Sequence, residues 1–322
     1  MPDVVCLGSV NLDRTWYLPA ERIRDLEARY DWFPAAGETV RIEGSPDLPA
    51  GVLEDAQYRT AVGGKGSNQA VAAARAGADA AFLGCVGRDA DEYGVRETLA
   101  DRGVAVDGVT TVGRETGKAY VFVDEGGESW IAIVGGANDA VDEGYVDQVL
   151  ERVLSADAVL LQNEIPVSTA NGLLERLETD ENASGRPTVV LNPAPADGAD
   201  PLVDRAAVDV IVVNEAEHAA LEDCLATVDA TVVRTRGADD VIVSDGDAGN
   251  VDYRITPPTV DAVDATGAGD AFCGYLAALL GEGEGLERAV EAATVAGSLA
   301  TETEGVQNAI LDRETVERER NC

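Results

Sequence analysis

Between residues 4 and 10 the chain is almost wholly apolar, Val4-Val5-Cys6-Leu7-Gly8-Ser9-Val10, the pattern of a strand buried on both faces, and it closes at Asn11. Residues 20 to 58 lose that pattern and are rich in Pro, Gly and charge, so they are expected to leave the core, with short strands at Glu38 to Ile42 and Tyr58 to Val62. From Ser67 the run SNQAVAAARAG predicts a helix capped by Gly77, followed by a strand over Ala80 to Val86. Lys118 to Val123 and Ser129 to Val134 predict a hairpin across the turn Asp124-Glu125-Gly126-Gly127-Glu128. Apolar strands are further expected at Ala158 to Gln162, Thr188 to Leu191, Val208 to Val213, Thr231 to Arg234 and Val241 to Ser244, with helical segments between several of them. Two helices, Ala268 to Leu280 and Leu286 to Thr301, close the core across a Gly-Glu-Gly-Glu-Gly connector. This alternation predicts an α/β fold with a mainly parallel sheet flanked by helices. With no repeat of fixed period and no long linker, one domain over 1–322 is expected.

Such a sheet needs a core, and 45% hydrophobic residues in a chain of 322 supply one, which excludes disorder as the dominant state. No run of about 18 apolar residues occurs and the N-terminus has no leader pattern, so a cytoplasmic location without membrane partners is expected. Cys6, Cys85, Cys224, Cys273 and Cys322 form no CxxC pair, which argues against a zinc knuckle or a disulfide framework. Charge changes the picture more. Sixty acidic residues against 24 basic give a net charge of -36 and a sequence pI near 4.1. That field repels phosphate backbones and excludes nucleic acid as a partner. The acids are spread along the chain, and its lysines are only Lys65 and Lys118, which points to a surface adapted to high salt.

The sharpest chemical signal is Asp264-Ala265-Thr266-Gly267-Ala268-Gly269-Asp270, a glycine-rich turn entering an apolar helix. Glycines let a ligand approach the backbone, and the helix N-terminus adds about half a positive charge, so Gly267, Ala268 and Gly269 form a candidate anion cradle. Asp270 beside it could take the proton of an attacking hydroxyl; the plain alternative is a capping acid. No GxxxxGK followed by Ser or Thr and no fitting GxGxxG occurs, so neither a P-loop nor a Rossmann dinucleotide turn is expected. Gly63-Gly64-Lys65-Gly66-Ser67-Asn68-Gln69 opens the other helix and suits a hydroxyl-rich or anionic ligand, or else is a tight turn with a surface lysine. Asn11 and Asp13 alternate with Leu12 at the end of the first strand and so face one way. Asn214-Glu215-Ala216-Glu217 reads by itself as a capped, solvated helix start, with the neighbouring His218 structural.

Taken in order, GSVNLD, Pro-Ala-Ala-Gly-Glu-Thr-Val at 34 to 40, GGKGSNQA, Gly136-Ala137-Asn138, Asn192-Pro193-Ala194-Pro195-Ala196, Asn214 to Glu217 and the turn before Asp270 resemble the ribokinase-like, or PfkB, carbohydrate kinases over essentially the entire chain. NPAPA and GGKGSN are more similar to ribokinases than to fructokinases or ketodeoxygluconate kinases. The resemblance implies a Rossmann-type central sheet with a small β-sheet lid from about 14–62 and 116–135, and transfer of the terminal phosphoryl group of ATP to a sugar hydroxyl, ribose foremost. It implies Asp270 as base, Gly267 to Gly269 as cradle, and Asn11, Asp13, Gly64, Lys65, Asn68 and Glu164 around the sugar. Asn214, Thr235, Gly237 and Gly269 match ATP-binding positions, and Asn214 and Glu217 organise Mg²⁺ through water. Asp264, the Thr266 carbonyl and Gly305 match a potassium site, although Ala309 stands where a hydroxyl ligand is common; Ala238-Asp239-Asp240 likewise departs from the usual nucleotide loop. A homodimer clasped through the lids is also implied. Fructose, ketodeoxygluconate and nucleoside kinases are the alternatives within the family, and a catalytically silent sugar-binding protein is the alternative outside enzymes.

Overall fold

Val4 and Cys6 point into one half of the hydrophobic core and Val5 and Leu7 into the other, so the first strand is buried from both sides as its unbroken apolar run requires. The computed structural model describes residues 3–36, 39–43, 58–126, 128–179, 185–245 and 251–320. In chain order its elements are β1 (Val4–Leu7), β2 (Asn11–Tyr17), α1 (Ala20–Arg29), β3 (Thr39–Arg41), β4 (Tyr58–Gly63), α2 (Lys65–Arg75), β5 (Ala80–Val86), α3 (Val95–Asp101), β6 (Val109–Thr111), β7 (Gly117–Val123) and β8 (Ser129–Val134). A 3₁₀ turn (Gly136–Ala140) leads to α4 (Glu143–Leu154), β9 (Ala158–Gln162), α5 (Val167–Thr179), β10 (Thr188–Asn192), α6 (Asp200–Val203), β11 (Val210–Val213), α7 (Glu215–Ala220) and α8 (Glu222–Leu225). The chain continues through β12 (Thr231–Arg236), β13 (Asp239–Asp245), β14 (Val251–Ile255), α9 (Ala268–Gly281), α10 (Leu286–Ala300) and α11 (Arg313–Arg320).

Nine strands form the main sheet in the order β14-β13-β12-β11-β10-β9-β1-β5-β6. Pairings from β6 to β12 are parallel, and β13 and β14 add antiparallel strands at one edge. The chain runs outward from β1 to β5 on one side and to β9 on the other, so the crevice at the carboxyl ends of β1 and β9 is the switch point where open α/β sheets bind ligands. Helices α2, α9 and α10 cover one face; α4, α5, α6 and α8 cover the other. The alanines of α2 keep it thin, and a side chain at Gly274 of α9 would collide with Ala72 and the Gln69 carbonyl. Small residues therefore set α9 directly against α2, which brings the starts of both helices together.

A second sheet of five strands, β3-β8-β7-β2-β4, stands over that crevice. Its row Ala61, Asp13, Ala119, Ile133 and Arg41 runs straight across one face. The opposite face carries Trp16, Tyr120, Phe122 and Trp130, with Trp16 stacked on Phe122 at 5.4 Å.

Several expectations change. Asn11 and Asp13 belong to β2 of the small sheet, because the first strand of the main sheet ends at Leu7. The stretch expected to be irregular holds α1, whose Ile23 and Leu26 pack on the aromatic face of the small sheet and whose Glu27 accepts a hydrogen bond from Trp130 Nε1 at 2.9 Å. Two buried apolar positions among eight others give too weak a periodicity to see in the sequence. The strand expected from Glu38 spans Thr39–Arg41, with Glu38 outside the described residues, as are Gly37, 44–57 and Gly127 of the hairpin turn. The edge strands β6 and β14 and the closing helix α11 were not expected; the last buries Val316 alone.

Candidate active site

Because α2 and α9 start side by side at the crevice, Asn68 and Gln69 from one face Asp270 from the other. Asn68 Nδ2 donates to Asp270 Oδ2 at 2.9 Å and Gln69 Nε2 donates to Asp270 Oδ1 at 3.0 Å. Asp270 is only 7% exposed, so the two amides meet the cost that an ionised carboxylate would otherwise incur there. Just before it, Gly267 sits at φ 81° and Gly269 has open space around its Cα, leaving the backbone at the start of α9 accessible. One pocket is lined by Lys65, Asn214, Glu217, Thr235, Gly267, Gly269 and Asp270 together. Burial alone would lower the Lys65 ammonium, but the charges of Asp270, Glu164 and Glu217 hold it above its ordinary value, so it stays cationic.

The sugar-side candidates gather where the small sheet meets that pocket. Asn11 is 2% exposed and its Oδ1 accepts from Asn138 Nδ2 at 2.8 Å, while Asn138 Oδ1 accepts from the Val10 N–H at 3.0 Å. Glu164, at the end of β9, accepts the Ser9 hydroxyl and, at 3.1 Å, the Lys65 N–H. Gly64 at φ 93° lies against the backbone of Val10 and Asn11, where no side chain fits. Asp13 differs from all of these: its Oδ1 is buried with no hydrogen-bond partner. Burial, then the charges of Glu164 and Asp270, push its carboxyl up to about 8 against the opposing pull of Lys65. A buried carboxylate oxygen left unmet is an acceptor awaiting a donor.

The remaining candidates fall in two places. Asn214 and Glu217 close a reciprocal capping box at the start of α7, Asn214 N donating to Glu217 Oε2 at 2.9 Å and Glu217 N to Asn214 Oδ1 at 2.8 Å. That leaves Glu217 Oε1 for the pocket, a hard oxygen suited to hydrated Mg²⁺, and no group of three or more His, Cys, Asp and Glu among the described residues makes a closed metal cage. Asp264 accepts from the Thr266 N–H at 2.9 Å and the Gly305 N–H at 3.1 Å; burial opposes, but those hydrogen bonds keep it below the usual carboxylate range. Each Asp264 oxygen thus already accepts a backbone N–H, and buried Ala309 offers no side-chain oxygen. Thr235 lines the pocket, whereas Gly237, exposed at φ 62°, turns the chain between β12 and β13 and does not. His218 lies on α7 outside the pocket lining, its pKa lowered first by burial and then by Arg234.

Sequence reasoning gave no role to Ser9, Gln69, Asn138, Gln162, Asn192 or Gln307, which brace the site. Polar amides ending apolar strands, Gln162 after Ala-Val-Leu-Leu and Asn192 after Thr-Val-Val-Leu, were the available signal.

A large, mostly parallel α/β sheet with a second small sheet beside it is the architecture of known carbohydrate kinases. The pfkB family of carbohydrate kinases matches residues 34–313, and the chain belongs to that family. Ribokinase of Bacillus subtilis is 33% identical over 91% of this chain and 94% of its own length. The bifunctional ribokinase/ribose-5-phosphate isomerase A of Fructilactobacillus sanfranciscensis is 32% identical, and the chain spans 56% of it. An ATP-dependent ribose-1-phosphate kinase of Halopiger xanaduensis is 33% identical over 84% of this chain and 90% of its own. The structure of Arabidopsis thaliana ribokinase complexed with ribose and ATP matches at a TM-score of 0.77 and 28% identity, covering 100% of this chain and 99% of that one.

Proposed function

We propose that this kinase transfers the terminal phosphoryl group of ATP to a hydroxyl of a small sugar, with D-ribose giving ribose 5-phosphate as the leading acceptor. The observation that carries it is the buried Asp270 carboxylate, gripped on both oxygens, beside an accessible helix-start backbone and across one pocket from Lys65. Asp13, Asn11, Lys65, Asn68, Glu164 and the Gly64 backbone seat the acceptor, and its hydroxyl donates to the unmet Asp13 oxygen. Asp270 takes the proton of a second hydroxyl as that oxygen forms its bond to the terminal phosphorus and the bond to the bridging oxygen of the departing ADP breaks. The amides from Gly267 to Asp270 stabilise the charge that moves onto the phosphoryl oxygens. Asn214, Thr235 and Gly269, which line the pocket, hold ATP, and Gly237 only turns the loop that follows Thr235. Asn214 and Glu217 would hold Mg²⁺ largely through water, which would neutralise phosphate charge, and Asp264, Thr266 and Gly305 would hold K⁺, which would add positive field behind the cradle.

The five-stranded sheet serves as the lid, excluding water as a competing acceptor. Its aromatic face is taken by α1, so a homodimer clasp uses the half-buried Val121, Ile131 and Ile133 on the face of Asp13. The net charge of -36 supports a home in a salt-rich cytoplasm, where screening relieves self-repulsion. No helix among the described residues is long and apolar enough to cross a membrane.

A second acceptor, ribose 1-phosphate, is favoured by Arg41, which lies on the face of Asp13 three strands away and pairs with Asp139. The test is coupled ADP release at high KCl with Mg·ATP, comparing ribose, ribose 1-phosphate, fructose, ketodeoxygluconate and adenosine, with Asp270→Asn as control. Turnover on ribose that the control lacks supports the leading reading; preference for another acceptor moves the substrate; no turnover on any supports a silent binder.

A further inference from the structure

Five buried amide side chains are linked around Asp270, and two lines of their hydrogen bonds run donor-first to its two oxygens, Gln162 through Gln69 and Gln307 through Asn68. Gln162 Nε2 donates to Gln69 Oε1 at 2.6 Å, and Gln69 Nε2 donates onward to Asp270 Oδ1 at 3.0 Å and to Asn192 Oδ1 at 3.2 Å. Asn192 in turn donates from Nδ2 to the Val212 carbonyl at 3.0 Å. On the other side Gln307 Nε2 donates to Asn68 Oδ1 at 2.9 Å, and Asn68 Nδ2 donates to Asp270 Oδ2 at 2.9 Å. Gln69 and Gln162 are fully buried, and Gln307 and Asn68 nearly so.

An amide can present either end, and only its NH₂ end suits a carboxylate. Gln162 occupies the oxygen of Gln69 and Gln307 occupies the oxygen of Asn68, so each inner amide is fixed with its donor toward Asp270. Both outer amides leave an oxygen buried without a partner, Gln162 Oε1 and Gln307 Oε1. Such a loss is tolerated where turning the chain around would set an amide oxygen against the carboxylate.

We infer that Gln69, oriented by Gln162, is the positioning residue for Asp270, holding the carboxyl group aimed at the acceptor hydroxyl; the matching pair Gln307 and Asn68 steadies the second oxygen. This rests on the reading of Asp270 as base. Gln69 and Gln162 touch the reaction through Asp270 and have no part in holding ATP.

The test compares Gln69→Met, which keeps the length and removes the donor to Asp270, with Gln162→Met, which keeps the length and removes the donor that fixes Gln69 without adding a charge. Both are assayed on the full protein at high KCl across pH 5 to 9 with ribose and Mg·ATP. Gln69→Met should lower kcat by about ten- to a hundredfold, with the sugar KM within about threefold of the parent, as a misaimed base predicts. Its acid limb of kcat should move up by about one pH unit, because a donor to the ionised form is gone. Gln162→Met should move the same limb in the same direction, and it carries the readout if Gln69→Met does not fold. Loss of kcat with an unmoved limb would mean a merely structural amide and overturns the inference, as does a parental kcat. Asp270→Asn separates the two readings: if it is inactive while both glutamine variants behave as the parent, the base stands and the relay falls; if it turns over normally, the base itself falls.

Discussion

The body and the lid treat their acidic residues in opposite ways. In the body Asp270 has both oxygens bonded before any ligand arrives, whereas in the lid Asp13 keeps an oxygen buried and unmet. The body site is built from the ends of β9, β10, α2 and α9, all anchored in a core packed from both faces of the sheet. The lid is one sheet with a single covered face, held by α1 and a handful of aromatic rings. On the proposed function, chemistry is preorganised in the body and acceptor recognition falls to the small sheet. On this division, body variants should act on kcat and lid variants on the sugar KM.

Asp270→Asn gives the sharpest break. It keeps the volume and removes the basic oxygen, so kcat should fall by about a hundred- to ten-thousandfold while calorimetry still detects both substrates. A variant that loses binding in step with turnover would place Asp270 in recognition, on the lid's side of the division. Leu26→Ala comes next in size. Leu26 is fully buried between α1 and the aromatic face, so its truncation should cost about 2–5 kcal/mol of stability. Chemical denaturation would measure the loss. If the lid unfolds as a separate unit, the sugar KM should rise before any change in the main transition appears.

Asp13 tests the lid by pH. Its folded-state carboxyl is raised to about 8 from an unfolded value near 4, so the folded protein holds the proton more tightly. The resulting stability is fully present below the unfolded value and is lost as pH rises through about 8. The melting temperature without sugar should therefore fall between about pH 5 and 8 at fixed high KCl and level off above, and Asp13→Asn should flatten that slope while raising the sugar KM. An unchanged slope in Asp13→Asn would assign the titration to another group.

How far this division could be read from the sequence follows from the same contrast. The body was legible because its strands are continuous apolar runs and its helices start at glycine turns, so Ala158 to Gln162 and the start at Ala268 agree with the structure. The lid was legible as the hairpin from Gly117 to Val134, where β-branched and aromatic residues alternate, and as the short strands near residues 39–41 and 58–63. Helix α1 escaped notice because one covered face needs few apolar residues, and Asn11 and Asp13 appeared to end the first strand because three residues, Gly8 to Val10, separate β1 from β2. Gln307 carries no local signature, and the motifs that hold Gln69 and Gln162 do not show what those amides bond. Their roles depend on contacts between α2, β9 and the segment after α10, which only the folded chain brings together.

The smallest effect should come where lid and body touch by charge. Arg59 on β4 reaches Glu304, in the segment that carries Gly305, at 3.6 Å, with side chains 75% and 70% exposed. An exposed pair of this kind is weak even in dilute buffer, and molar salt shortens the screening length to about 3 Å, less than the pair's own separation. At molar KCl Arg59→Ala should therefore leave kcat and the sugar KM within about twofold of the parent. At low salt the same substitution removes a positive charge from a protein already at -36, so any loss of melting temperature should be larger there than at molar KCl. A KM shift that persists at molar KCl would mean that Arg59 contacts the acceptor or steadies the closed lid by packing, and that lid and body are joined by more than charge.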